Sequence, residues 1–141
     1  MRLPALALLA VAAATPIQAD DKQDVRAAIE AAYVQGVHAA FSADAMRRGF
    51  HPEFRMYVLK DGAATVVTRD EWIARLEQGA ASAKAKPQIK AEYPMIEVAG
   101  NASVVRVELH RDGRHTFTDF LSLYRFADGW KIVAKTFQLH P

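Results

Sequence analysis

The chain of 141 residues has the length of one domain, and its 18 Lys+Arg against 16 Asp+Glu leave a formal charge of only +2. No run of Lys or Arg is interleaved with aromatic residues, which argues against nucleic acid as a partner. The sequence contains no cysteine, so it has neither a disulfide framework nor a lipid attached through cysteine. The apolar core alone must therefore stabilise the fold.

The first nineteen residues are predicted to be a secretory signal peptide. Arg2 gives a positive start, residues 3–14 form an apolar run, and Ala19 is a small residue suited to signal peptidase. The run is shorter than the roughly 20 residues that a spanning helix needs, and a retained N-terminal anchor is the alternative. We therefore expect residues 20–141 to form one periplasmic or secreted domain, with no membrane span of its own.

Three helices are predicted in the first part of the chain. Apolar residues recur at helical spacing over residues 20–41, and Gly36 on this stripe indicates close approach of another element. A short second helix covers residues 45–49. A third begins after Thr68, which forms a capping box with Glu71, and is expected to end at Gly79.

Six strands are predicted at residues 54–59, 64–67, 89–99, 102–111 and, as one long hairpin, 115–139. Asp128-Gly129 is a strong hairpin signal because glycine accepts the positive φ that tight turns require. A three-residue loop, residues 127–129, would pair Phe126 with Trp130. A two-residue loop would shift the pairing by one residue.

In the register set by the three-residue loop, the two faces of this hairpin differ in composition. One face mixes aromatic with small polar residues and is predicted to be a pocket wall: Thr118, Phe120, Ser122, Tyr124, Phe126, Trp130, Ile132, Ala134, Thr136 and Gln138. The other face is too apolar to stay in water and is predicted to form a homodimer interface: Phe117, Asp119, Leu121, Leu123, Val133, Lys135, Phe137 and Leu139.

Helices followed by strands predict an α+β fold, with helices covering one face of a curved antiparallel sheet. With this order, the motifs at residues 50–53 (FHPE), 118–123 (TDFLSL) and 128–133 (DGWKIV) resemble the nuclear transport factor 2-like (NTF2-like) superfamily, over residues 23–139. Within it the chain is most similar to the SnoaL-like and putative lumazine-binding families. The resemblance implies a cone-shaped fold. Families that share it include isomerases, dehydratases, hydrolases, cyclases and proteins without catalysis.

Seven residues are expected to line the cone and contact a neutral ring-sized ligand: Tyr33, His51, Met56, Trp72, Ser122, Tyr124 and Thr136. His51, Tyr33 and Asp119 are the candidate catalytic residues, although none is assigned. His51 fits a general base or a hydrogen-bond partner, or a turn histidine fixed by Pro52. The resemblance to steroid isomerases implies a hydrogen-bond donor at Tyr33, and a core tyrosine satisfied locally is the alternative.

Asp119 lies within an apolar stretch, where a carboxylate is either paired or functional. The three-residue register puts Lys135 diagonally across on the same face, which predicts an ion pair. In the two-residue register Asp119 turns into the pocket as a candidate base.

His110 and His115 flank a predicted turn and could share a metal ion. No third ligand is evident in the sequence, so no metal site is assigned. The sequence also lacks the GxSxG, HExxH, P-loop and GxGxxG motifs, and no cofactor is expected.

These observations favour an exported homodimer that binds a small apolar or aromatic molecule in its cone. The alternative is a cofactor-independent isomerase, dehydratase or cyclase that uses acid–base catalysis. A third hypothesis is a dimerisation module with a closed core.

Overall fold

The computed structural model describes residues 17–141, so the predicted signal peptide lies almost entirely outside the described residues. The helices are α1 (Ile17–Ile29), its π-helical continuation (Glu30–Ala39), α2 (Ala43–Gly49) and α3 (Arg69–Ser82). The strands are β1 (Phe50–Lys60), β2 (Ala63–Thr68), β3 (Ile89–Ala99), β4 (Ala102–Arg111), β5 (Arg114–Phe126) and β6 (Gly129–Leu139). None of the described helices is both long and apolar enough to cross a bilayer.

The six strands form one curved sheet in the order β2-β1-β6-β5-β4-β3. All neighbours are antiparallel except β1 and β6, which run parallel, so the sheet is mixed. The predicted α+β class and order of elements are confirmed. The parallel β1–β6 pair departs from the predicted antiparallel sheet, because β6 lies beside β1 and runs in the same direction.

A local sequence signal explains the start of α3. The Thr68 side chain accepts a hydrogen bond from the backbone of Glu71, and the Glu71 side chain accepts one from the backbone of Thr68, which is the predicted capping box. The helix passes Gly79 and ends at Ser82, so the prediction that Gly79 ends it is wrong. Nothing at Gly79 requires a positive φ, and a helix tolerates glycine there at a modest cost.

Two glycines allow α2 to pack closely against the first helix. A Cβ on Gly36 would lie 2.7 Å from Ala45 Cβ, and one on Gly49 would lie 2.1 Å from Ala32 Cβ. Both separations are too short for carbon atoms. The predicted close approach at Gly36 is therefore confirmed, and its partner is α2.

The register of the β5–β6 hairpin differs from the predicted one near the turn. Phe126 pairs with Gly129 and Arg125 with Trp130, so the loop has two residues. A bulge at Val133 then restores the predicted pairing, which holds from Ser122 opposite Ala134 onward. Trp130 and Ile132 consequently face the core, and their assignment to the pocket wall is wrong.

The helices cover the face of the sheet that was predicted to be the dimer interface. Leu121 and Leu123 are 0% and 1% exposed and belong to the core cluster with Ile29 and Tyr33. Half-buried Phe137 packs against the same cluster. That assignment is wrong, because this face is buried by helices of its own chain.

Candidate functional site

The seven predicted lining residues do not surround one cavity. Tyr33 and Met56 are buried on the helix-covered side, and Trp72 is half-buried there. Ser122, Tyr124 and Thr136 lie on the outer face of the sheet, since their strand neighbours Leu121, Leu123 and Lys135 point inward. Ser122 and Tyr124 line an outer groove of about 380 Å³ with residues of β3 and β4.

His51 lies beside the β5–β6 turn. Its ring stacks on Phe126 with centroids 4.7 Å apart, and its Nδ1 accepts a hydrogen bond of 3.1 Å from the backbone N–H of Glu53. These contacts match the alternative of a turn histidine.

A polar network lies inside the cone, where the π-helical segment meets β5 and β6. The Tyr33 hydroxyl donates to Asp119 Oδ2 over 2.7 Å, and Lys135 donates to the Tyr33 hydroxyl oxygen. Lys135 Nζ also lies 2.9 Å from Asp119 Oδ1, as an ionic contact rather than an aligned hydrogen bond. All three residues are at most 3% exposed. The predicted Asp119–Lys135 pair is confirmed, within the core instead of at a dimer face.

Four aromatic rings surround the Lys135 ammonium group. Its Nζ lies 4.6 Å from the Tyr33 ring centroid, 5.2 Å from Trp72, 5.5 Å from Phe117 and 4.8 Å from Phe137. These are cation–π distances, and they partly replace the water that a buried cation loses. Trp72, Phe117 and Phe137 are only half-buried, so they form the boundary between the network and the outside.

His38 joins this network, although the sequence reasoning missed it. Its ring is buried and stands edge-on to the Tyr33 ring at 4.6 Å. Tyr33 and His38 are five residues apart, which is the hydrogen-bond spacing of a π-helix. In an α-helix the same spacing would put them about 140° apart around the axis. A search at α-helical spacing therefore cannot bring them together.

The hydrogen bond that His38 makes fixes its neutral tautomer. Arg111 Nη2 lies 3.3 Å from His38 Nδ1, and a guanidinium group can only donate, so Nδ1 accepts. The proton of the neutral ring is then on Nε2. Among residues 17–141 this buried Nε2 has no hydrogen-bond partner, so it is an unused donor.

Burial sets the protonation of the inner site. The pKa of His38 falls well below 6.5, first through loss of hydration and then through the positive charges of Lys135 and Arg111. Burial and the Asp119 charge raise the pKa of Tyr33 well above 10. Burial lowers the pKa of Lys135, and Asp119 opposes that shift. Near neutral pH, Tyr33 is therefore protonated and His38 is an uncharged donor, while both Asp119 oxygens already face partners. This arrangement suits binding of an acceptor atom better than abstraction of a proton by Asp119.

A second polar cluster lies on the outer face, at the β4–β5 turn. His110 and His115 pair across the strands and stack with centroids 4.9 Å apart, as predicted. Glu108 and His140 lie beside His115 and were missed by the sequence reasoning. No sequence motif marks Glu108 as part of a site. His140 comes close only because β6 returns beside β5.

A curved mixed sheet covered on one face by three helices is the α+β fold of the NTF2-like class. The sequence matches the family described as "putative lumazine-binding" over residues 20–138, and the chain belongs to that family. The resemblance found from the sequence motifs is thus confirmed.

Solved structures support the same fold. An NTF2-like protein of unknown function from Silicibacter pomeroyi is 24% identical, with a TM-score of 0.69 over 86% of this chain and 98% of that one. Another from Shewanella baltica is 20% identical, with a TM-score of 0.73 over 87% and 96%. An NTF2-like superfamily protein from Salmonella enterica serovar Typhimurium is 18% identical, with a TM-score of 0.67 over 87% and 93%. No curated protein matches the sequence significantly.

Proposed function

We propose that this chain binds a small, neutral, planar aromatic molecule in its cone, and that Lys135 and His38 donate hydrogen bonds to an acceptor atom of that molecule. The observation that carries the proposal is the unused N–H of buried His38 beside a buried lysine with three donors. The half-buried rings of Trp72, Phe117 and Phe137 lie around the Lys135 ammonium group, and the Phe117 ring also lies 5.8 Å from the His38 ring.

The energetic cost of this arrangement supports a binding role. A buried donor without a partner costs about 1–3 kcal/mol, and a buried ammonium group costs several kcal/mol even when it is paired. A core built only for stability would replace both groups with apolar side chains. A ligand oxygen that accepts from them recovers part of this cost on binding.

The family description favours a ligand of this shape. Lumazine is a planar bicyclic ring with carbonyl oxygens, so it combines a face for aromatic contact with acceptors for N–H groups. Tyr33 already contacts the rings of Trp72 and Phe50, at 6.2 and 6.4 Å between centroids. Entry of a ring therefore requires the boundary side chains Trp72, Phe117 and Phe137 to move apart.

Tryptophan fluorescence tests the proposal. In a Trp130→Phe background Trp72 is the only tryptophan, and lumazine should quench it saturably. His38→Leu removes the unused donor and should weaken binding about tenfold, which corresponds to about 1.4 kcal/mol. Tyr124→Phe, on the outer face, is the matched control and should leave affinity unchanged.

Two results would refute the proposal. One is the absence of saturable quenching in the folded protein with lumazine and with other neutral bicyclic aromatic compounds. The other is equal affinity of the His38→Leu variant and its parent. The first result would favour the alternative of a dimerisation module, which the dense packing around Tyr33 also supports.

We further propose that the domain is exported and forms a homodimer through the outer face of its sheet. The outer face carries exposed apolar side chains, among them Val104, Phe120 and Tyr124 at 39%, 42% and 53% exposure.

The leader pattern of residues 1–19 supports export. The intact mass of protein recovered from the periplasm or the medium tests this, and a cytoplasmic product that retains residues 1–19 would contradict it.

A further inference from the structure

We propose that Glu108, His115 and His140 form a binding site for a divalent transition metal ion, with Zn²⁺ as the best match. One ligand atom from each residue lies within 4.8 Å of the other two. The three come from the end of β4, the start of β5 and the residue after β6. This site lies on the outer face of the sheet and shares no residue with the inner network.

The backbone is shaped to bring these side chains together. Leu109 pairs with Phe117 but His110 pairs with His115, so Thr116 is an extra residue in β5. Because side chains alternate along a strand, this bulge turns His115 to the same face as Glu108. The backbone N–H of His140 donates to the Thr116 carbonyl over 2.9 Å and holds His140 beside the bulge.

The three side chains already form a compact hydrogen-bonded cluster. His115 Nε2 lies 2.7 Å from Glu108 Oε2. The Thr118 hydroxyl lies 2.5 Å from the same oxygen and 2.9 Å from His140 Nε2. A tetrahedral ion with bonds of about 2.0–2.1 Å requires ligand atoms about 3.3 Å apart. Metal binding thus requires the His115–Glu108 contact to widen by about half an ångström, and the His140 ligand atom, within 4.8 Å of the other two, to move to the same separation.

The surroundings hold Glu108 in a ligating orientation. Arg106 binds the other carboxylate oxygen, Oε1, through Nε at 2.6 Å and Nη2 at 2.5 Å, which leaves Oε2 facing the imidazoles. The Glu108 side chain is 13% exposed, whereas that of His115 is 39% exposed. A cavity of about 270 Å³, lined in part by His115, Thr116 and His140, adjoins the cluster and leaves room for water as a fourth ligand.

The ligand types select the ion. Two imidazoles and one carboxylate suit Zn²⁺, Cu²⁺, Ni²⁺ and Fe²⁺, whereas Ca²⁺ and Mg²⁺ prefer oxygen ligands. The guanidinium group of Arg106, which contacts Glu108, also disfavours cation binding by charge alone. Binding must therefore depend on coordination to the imidazole nitrogens.

Metal titration of tag-free, EDTA-treated protein tests the site. We expect one Zn²⁺ per chain, measured by competition with a chromogenic chelator, and a rise in melting temperature with Zn²⁺ concentration. His115→Gln and His140→Gln should each lower the affinity at least tenfold. His51→Gln, at the distant β5–β6 turn, is the matched control and should bind as the parent does.

Cobalt gives an independent readout that does not depend on stability. Co²⁺ bound by two imidazoles, a carboxylate and water in tetrahedral geometry gives visible absorption bands, which the His115→Gln variant should lose. Parental Zn²⁺ affinity in both histidine variants would overturn the proposal. So would the absence of stoichiometric binding at 100 µM Zn²⁺ to protein that circular dichroism shows to be folded.

Discussion

Asp119 and Lys135 are 0% and 3% exposed, so each charge depends on the other for compensation. We expect Asp119→Asn and Lys135→Met each to lower the free energy of unfolding by about 3–5 kcal/mol, because each leaves its partner buried and unpaired. The double variant should cost less than the sum of the two, by at least about 1 kcal/mol. Urea unfolding of the four proteins at one protein concentration measures this coupling.

The exposed pair Arg47–Glu77 provides the control cycle. Its atoms are 3.1 Å apart, but its side chains are 48% and 54% exposed, so its coupling should be a few tenths of a kcal/mol. Additive effects of the Asp119 and Lys135 substitutions would contradict the assignment of these residues as a direct pair.

His38 should make stability depend on pH in the weakly acidic range. Its pKa is far below 6.5 in the folded chain and near 6.5 in the unfolded chain, so below pH 6.5 the unfolded state binds more protons. Stability therefore falls as the pH is lowered from 7 to 5, by up to about 1.4 kcal/mol per pH unit. Chemical denaturation across this range should show that the free energy of unfolding changes less steeply with pH in His38→Gln, because glutamine cannot titrate. Equal slopes would mean that His38 is protonated in the folded chain.

Some features of the inner site could be read from sequence and others could not. The Asp119–Lys135 pair follows from strand alternation, which is a local rule with a period of two residues. His38 was missed because the π-helical segment replaces the spacing on which helical patterns depend. The seven predicted lining residues do not surround one cavity, because those on the sheet come from both of its faces.

At the scale of elements, one dipeptide makes two different turns. In Asp61-Gly62 and Asp112-Gly113 both residues have positive φ, as in the tight hairpin turn that this dipeptide predicts. At Asp128-Gly129 only the glycine has positive φ, at 113°, and it is already the first residue of β6. The dipeptide predicted the location of this turn correctly, but not its own position within the turn. The predicted register was therefore off by one residue between the turn and the Val133 bulge.

Glycine substitutions test the packing of α2 against the first helix. Gly49→Ala places a methyl group 2.1 Å from Ala32 Cβ and should destabilise the fold by about 1–3 kcal/mol. Gly79→Ala is the matched control, because its methyl group meets no atom within 4 Å in exposed α3. That substitution should stabilise by up to about 1 kcal/mol. Thermal unfolding compares the two, and equal effects would mean that α2 does not pack this closely.

At the scale of the whole molecule, the sequence pattern does not determine which face of the sheet the helices cover. Both faces of the β5–β6 hairpin carry large apolar residues, so alternation divides them into two sets without saying which set the helices bury. The contacts that decide it join residues far apart in the chain, such as Tyr33 and Asp119. The helices take the face of Leu121 and Leu123, and the apolar residues of the opposite face remain exposed.

The exposed face should mediate association of two copies of the chain. Phe120 and Tyr124 lie on one strand, two pleats apart, and point away from the core. Light scattering at micromolar concentration should give twice the chain mass for the parent, and the single chain mass for Phe120→Glu/Tyr124→Glu. The melting temperature extrapolated to low concentration should change little, because neither side chain belongs to the core cluster. Ala74→Glu/Gln78→Glu, on exposed residues of α3 in the helix layer, adds the same charge away from the outer face, is the matched control and should remain a dimer. A parent protein of single chain mass across this range would refute association through this face, and a dimer that survives both substitutions would place the interface elsewhere.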